Sequence, residues 1–269
     1  MSNQKDSGKH YHLKCTGDAL VTSEAHSKPA ELTLFASCFC PFVQRVWIAL
    51  EEFGIDYHKP PELLEVSPKG LVPGLRFNNT TPPRALNEST VILEYLEDVA
   101  ATELNKSLLP PPSDHYGRAL IRLQADHVNR SLVPAFYRYL QAQDDEKQIE
   151  GGKDFLAAID GLVQLFDRAA RESDSKIGLW QPNGKLSLAD AMAGPWLFRA
   201  TNVLVHYRGF SLPEGERFRA YIDRLFNYPA FKRTCNTDEL YLDSYERYAY
   251  NRPNTSQVAN AINSGRALP

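Results

Sequence analysis

Residues 32–54 narrow what this chain can become, because there a strand passes through Cys40-Pro41 into a helix. Leu32-Thr33-Leu34-Phe35 is a short β-favouring run and reads as a strand. Pro41 suits the first helical position, where its missing N–H is not needed. Val43, Val46, Trp47, Leu50 and Phe53 then recur at helical spacing along one face, and Gly54 closes the helix. Ile55–His58 reads as a very short second strand, cut off by Pro60 and Pro61, with Glu62–Val66 as one helical turn. Leu71–Phe77 is strand-like with Pro73 inside it, and Arg84–Asn87 reads as a last short strand. From about Ser89, the residues Ile92, Tyr95, Leu96 and Val99 mark one face of a second helix. Residues 31–102 therefore predict an α/β thioredoxin-like domain.

The remainder follows a different rule. Residues 103–113 include Leu108-Leu109-Pro110-Pro111-Pro112-Ser113, a stiff extended linker. Residues 114–250 look helical throughout and predict an all-α helical-bundle domain. Phe155, Ile159, Leu162, Val163 and Phe166 form one stripe, and Ser187-Leu188-Ala189-Asp190 has the form of a capping box. Pro134 and Pro195 lie inside helical patterns and predict kinks. Residues 1–30 are polar and read as a poorly ordered leader, and residues 251–269 as a loose tail.

Hydrophobic residues make up 43% of the chain and charged residues 23%, enough for a core that needs no metal or disulfide staple. The net charge of −3 comes with no basic stripe, which argues against nucleic acid as a partner. No run approaches the roughly 18 apolar residues of a membrane span, and residues 1–11 carry no apolar signal core. Four cysteines in 269 residues do not make a disulfide scaffold, so a reducing, cytoplasmic location is the expectation.

Cys40 sits where a strand hands over to a helix. The first N–H groups of a helix carry partial positive charge, so a thiolate there is stabilised and its pKa is expected to fall below about 8.5. Val43 stands where a C-x-x-C pair would need its second cysteine. With one thiol in that frame, a mixed disulfide with an external thiol is the natural intermediate. Cys38, two residues upstream, is either a resolving or regulatory thiol or simply a small loop residue.

Phe39-Cys40-Pro41-Phe42 after the strand resembles the omega-class glutathione transferases, in particular the fungal omega-like members. So do three further motifs, in the same order. Ser67-Pro68-Lys69-Gly70-Leu71-Val72-Pro73-Gly74-Leu75 is similar to the family's glutathione-site strand, Glu88-Ser89 followed by Ile92 to its γ-glutamyl contact, and Val205–Phe210 with the capping box to its helical domain. The resemblance runs from about residue 31 to 250. It implies the cytosolic glutathione transferase fold, glutathione as co-substrate, a homodimer, and Cys40 as the residue that forms the mixed disulfide. It also implies a cis bond before Pro73, so that Val72 presents its backbone to the cysteinyl part of glutathione. Glu88 would meet the γ-glutamyl ammonium, Ser89 and its amide the γ-glutamyl carboxylate, and Lys59 the glycine carboxylate. Phe42, Tyr137 and Trp196 are the candidate wall of the second-substrate site.

Between Gly54 and Lys59 only Ile55–His58 intervene, fewer than in omega-class relatives. The second strand should therefore be a stub, Lys59 exposed, and the Glu88 end of the groove closer to buried. The implied activity is thiol transfer: deglutathionylation, or reduction of dehydroascorbate or glutathionyl adducts. Two other roles compete: binding of aromatic secondary metabolites in the domain cleft, and a tailoring transferase in a biosynthetic pathway.

Overall fold

The computed structural model describes residues 12–60 and 71–269. Its first helix, α1 (Gly17–Ala25), occupies part of the segment expected to be a loose leader. That expectation fails from residue 12 onward because α1 is tied down from outside its own sequence. Ala19 N–H donates to the Cys235 carbonyl at 3.0 Å, and the Thr22 hydroxyl donates to the Arg233 carbonyl at 2.8 Å. Cys15 and Ala19 are buried in the same seam. Polar composition gave no hint of these partners, which lie more than 200 residues away.

Strands β1 (Leu32–Phe35), β2 (Gly74–Phe77) and β3 (Arg84–Asn87) form an antiparallel sheet in the order β1-β2-β3. Leu34 stands opposite Leu75, and Leu75 opposite Leu86. The expected second strand is reduced to one parallel bridge on the free edge of β1. There His58 N–H donates to the Leu32 carbonyl at 2.7 Å, and Leu34 N–H to the His58 carbonyl at 2.9 Å. Pro60, which has no N–H, follows two residues later and is suited only to such an edge. The helical turn read at Glu62–Val66, and Ser67–Gly70 of the glutathione-site motif, lie outside the described residues.

Helices α2 (Pro41–Phe53) and α3 (Ser89–Val99) pack together beside this sheet, Pro41 taking the first position of α2 and Gly54 closing it at φ 68°. From Val43 to Leu50 every side chain of α2 is buried, including Gln44 and Arg45. The reason is the second domain, whose helices enclose the side of α2 turned away from the sheet.

That domain contains α4 (His115–His127), α5 (Val133–Gln141), α6 (Asp145–Glu172), α7 (Leu188–Arg199), α8 (Val205–Arg208), α9 (Glu216–Asn227), α10 (Pro229–Lys232) and α11 (Asp238–Ala249). Helices α7 and α10 pack on α2. A π-helical turn at Val128–Leu132 precedes Pro134, whose ring would otherwise meet the Arg130 carbonyl. A second such turn, Ala200–Leu204, follows the proline-containing α7.

The capping box of α7 is present. The Ser187 hydroxyl accepts from Asp190 N–H at 3.2 Å, while Asp190 Oδ2 accepts from Ser187 N–H at 2.8 Å. Asp190 also accepts from Leu179 N–H at 3.0 Å and from the Tyr221 hydroxyl at 3.1 Å, so one buried carboxylate ties the 179–187 loop to α7 and α9.

The segment expected to be a loose tail carries α12 (Gln257–Asn263). Its small residues Ala259 and Ala261 are buried, and Gln141 on α5 donates to the Ala259 carbonyl at 3.2 Å and to Asn263 Oδ1 at 2.9 Å. Small side chains let this helix lie close against α5, a packing reason that a composition rich in Asn, Ser and Gly conceals.

Candidate active site

The turn after β1 delivers Cys40 to the N-cap of α2, in extended backbone conformation (φ −71°, ψ 122°). Its Sγ lies 3.9 Å from the Val72 carbonyl, on the segment that enters β2. The Val72–Pro73 bond is cis, as expected from the motif. A cavity of about 590 Å³ opens here between the two domains. Cys40, Phe42, Arg45, Val72, Pro73, Glu88 and Ser89 line it from the sheet side. Tyr137, Tyr245 and Tyr248 line it from the helical side, and Thr255–Val258 with Leu268 and Pro269 complete the wall.

Of the candidate residues, the structure brings Cys40, Val72, Pro73, Glu88, Ser89, Phe42 and Tyr137 together around one space. Two stand elsewhere. Trp196 is fully buried beneath the cavity, its indole edge-on to Phe42 with ring centroids 4.9 Å apart. It supports the wall rather than forming it. Lys59 is buried, not exposed, and does not line the cavity. Its Nζ lies 3.6 Å from Cys15 Sγ and 4.9 Å from the centre of the Trp47 ring. The seam that holds the segment before α1 has covered it. Glu88, expected near burial, is exposed.

Glu88 adopts φ 67° and ψ 114°, a left-handed value that is uncommon for a residue with a side chain. Such conformations persist where the surroundings hold them, often at ligand sites. The next residue, Ser89, is buried and opens α3. The chain therefore turns sharply at Glu88 and brings a carboxylate, a hydroxyl and the N-terminus of an 11-residue helix to one corner of the cavity.

Burial pushes the Cys40 thiol above its ordinary range. The backbone N–H groups of Val43 and Phe42, and the guanidinium groups of Arg199 and Arg45, pull the other way without overcoming it. The downward pull expected from the helix N-terminus is present in the Val43 and Phe42 amides, but burial outweighs it, so the expected lowering is not found. Cys38 is pushed up to about 11 by burial and by Cys15, and its thiol donates to the His12 carbonyl at 2.7 Å. It does not line the cavity.

Arg45, Arg199, Tyr245 and Tyr248 were not singled out from the sequence. Arg199 on α7 donates from Nη2 to the Phe39 carbonyl at 2.9 Å, and from Nη1 to Gln44 Oε1 and the Pro195 carbonyl, both at 2.7 Å. It straps the Cys40 turn to the helical domain. Arg45 donates from Nε to the Met192 carbonyl at 3.1 Å and lies over the Trp196 ring at 4.2 Å. One signal for Arg45 was available. The helix PFVQRVWIALEEF is apolar nearly all round, and such a helix is buried, so its polar residues must face something specific.

Among the described residues there is no cluster of His, Cys, Asp and Glu that could hold a metal, and no helix long and apolar enough to cross a membrane.

Comparison with known proteins places relatives beside this geometry. Residues 39–99 match the family described as glutathione S-transferase, N-terminal domain. The crystal structure of glutathione transferase Omega 3C from Trametes versicolor superposes with a TM-score of 0.73 at 34% identity, covering 88% of this chain and 98% of that one. Glutathione S-transferase DHAR2 of Arabidopsis thaliana is 26% identical over 216 residues, covering 77% of this chain and 89% of the relative. Glutathione S-transferase omega-1 of Rattus norvegicus is 26% identical over 179 residues, covering 63% of this chain and 67% of the relative.

Proposed function

This chain belongs to the glutathione transferase family, related to its omega and DHAR branches, and we propose that within it the chain works as an omega-like thiol transferase through Cys40. The observation that carries this is the Cys40 thiol at the start of α2, beside the Val72 carbonyl and open to the cavity. Glutathione lies extended along the Val72–Pro73 edge, in the manner of an added strand. Its γ-glutamyl end reaches Glu88 and Ser89.

The Cys40 thiolate attacks the glutathionyl sulfur of a mixed disulfide. The S–S bond breaks, the substrate thiolate leaves and takes up a proton, and Cys40 becomes glutathionylated. A second glutathione thiolate then attacks that disulfide, releasing glutathione disulfide and regenerating the Cys40 thiolate. Conjugation to electrophiles is the weaker activity, because it needs glutathione's own thiolate held by a hydroxyl, whereas a cysteine captures that sulfur as a disulfide. Deglutathionylation and reduction of dehydroascorbate or glutathionyl adducts are the reactions to assay. The homodimer that the resemblance implies and the cytoplasmic location expected from the sequence are part of this proposal.

The test is a pair of variants. Cys40→Ala abolishes glutathionyl-disulfide reduction and leaves the fold intact. Cys40→Ser loses thiol transfer and gains conjugation of an aryl halide. Retention of most reductase activity in Cys40→Ala would refute the assignment.

The aromatic wall of Phe42, Tyr137, Tyr245 and Tyr248 favours a second reading, in which the same cavity holds aromatic metabolites. Fluorescence quenching by a flavonoid that competes with glutathione disulfide turnover supports it, and no quenching at any soluble concentration refutes it.

A further inference from the structure

Arg45 is 1% exposed, yet it lines the cavity. Its described contacts are all with neutral groups. Nε donates to the Met192 carbonyl, Nη1 makes a long 3.5 Å contact with Ser89 Oγ, and the guanidinium lies over the rings of Trp196 and Phe42. Nη2 is buried and has no hydrogen-bond partner among the described residues, nor is Arg45 in an ion pair among them. A cation taken out of water without an anion is costly, so a site of this kind calls for a negative ligand group. Among the described cavity residues Arg45 is the one cation from lysine or arginine, and Glu88 the one carboxylate side chain. They flank Ser89 at the N-terminus of α3, where backbone N–H groups also favour an anion.

A single positive and a single negative group on either side of one hydroxyl match the head of an α-amino acid. We propose that Arg45 is the cation that receives the γ-glutamyl α-carboxylate of glutathione, with Nη2 donating to it beside Ser89. This rests on the glutathione reading above and adds a residue to it. Lys59, expected at the glycine carboxylate, does not line the cavity, and among its described residues Arg45 is the side chain able to supply a positive charge. The two aromatic faces hold the guanidinium plane in place, so little freedom is lost when the carboxylate arrives.

The experiment is a cycle between protein and ligand, read by calorimetry. The probes are S-methylglutathione, which cannot form a disulfide with Cys40, and the same compound with 4-aminobutyryl in place of γ-glutamyl, which lacks only the α-carboxylate. Arg45→Met should weaken S-methylglutathione about tenfold to a hundredfold and leave the decarboxylated analogue nearly unchanged. Arg45→Lys, which keeps the charge but not the fork, should retain a reduced preference for the carboxylate-bearing ligand. Equal weakening of both ligands by Arg45→Met would make the residue structural and overturn the proposal, as would an unchanged preference in it. If Arg45→Met does not fold, Arg45→Lys decides alone, and a preference equal to that of the parent protein overturns the assignment. Binding of neither probe by the parent protein would instead refute the glutathione reading itself.

Discussion

Replacing Arg199 with methionine separates the strap from the thiol it serves. The guanidinium makes three hydrogen bonds of 2.7–2.9 Å, to Gln44 Oε1, the Pro195 carbonyl and the Phe39 carbonyl, and all are buried. Hydrogen bonds from a charged group contribute about 1.5–3 kcal/mol each, and the acceptors left behind lose their charged partner. Against this, methionine removes a buried cation whose desolvation was itself costly. The difference leaves a net loss of about 2–4 kcal/mol, which for a protein of this size lowers the melting temperature by about 5–15 °C. A second effect is local. Arg199 is among the groups that pull the Cys40 pKa down, so its removal raises that pKa further. The assay is thermal unfolding beside the pH dependence of Cys40 alkylation, in a background where Cys15, Cys38 and Cys235 are replaced. Loss of stability with a shift of the alkylation profile to higher pH is the expected pair. Unchanged stability and an unchanged profile would refute the strap.

In the parent protein, burial holds the Cys40 pKa above its ordinary range, so alkylation should still be climbing at pH above the free-thiol value of about 8.5. A plateau reached by neutral pH would show that the helix N-terminus outweighs burial after all. Asp190→Ala leaves the donors on Leu179, Ser187 and Tyr221 without their acceptor, and should cost about 3–5 kcal/mol in chemical denaturation. Cys38→Ala should leave glutathionyl-disulfide turnover unchanged, because its thiol is buried against His12 and away from the cavity. A large loss in that variant would restore Cys38 as a participant.

The parts of this protein legible in its sequence are those that local chemistry decides. Cys40-Pro41 marks a helix start because proline fits that position, Ser187 and Asp190 satisfy a helix end by themselves, and the short run Ile55–His58 has no length to form a full strand. The parts where sequence and structure differ depend on contacts across the chain. Lys59 is buried because the segment before α1 brings Cys15 over it, and nothing within a few residues of Lys59 announces that. Trp196 and Tyr137 both follow a proline in a helix, yet one lies under the wall and the other in it. Which face of α7 met α2 was not written in either helix. The polar segments at 12–30 and 251–269 form helices because distant partners supply the hydrogen bonds and packing that their own composition lacks. The Cys40 pKa departs from the local expectation for the same reason. The helix N-terminus is a local feature, whereas the burial that opposes it is set by the fold around the thiol.

The most direct test of the account is the intact mass of the protein after incubation with glutathione disulfide. Formation of one glutathionyl adduct, mapped to Cys40, removed by added glutathione and absent in Cys40→Ser, is the result predicted. No adduct on the parent protein, or an adduct that persists in Cys40→Ser, would contradict it.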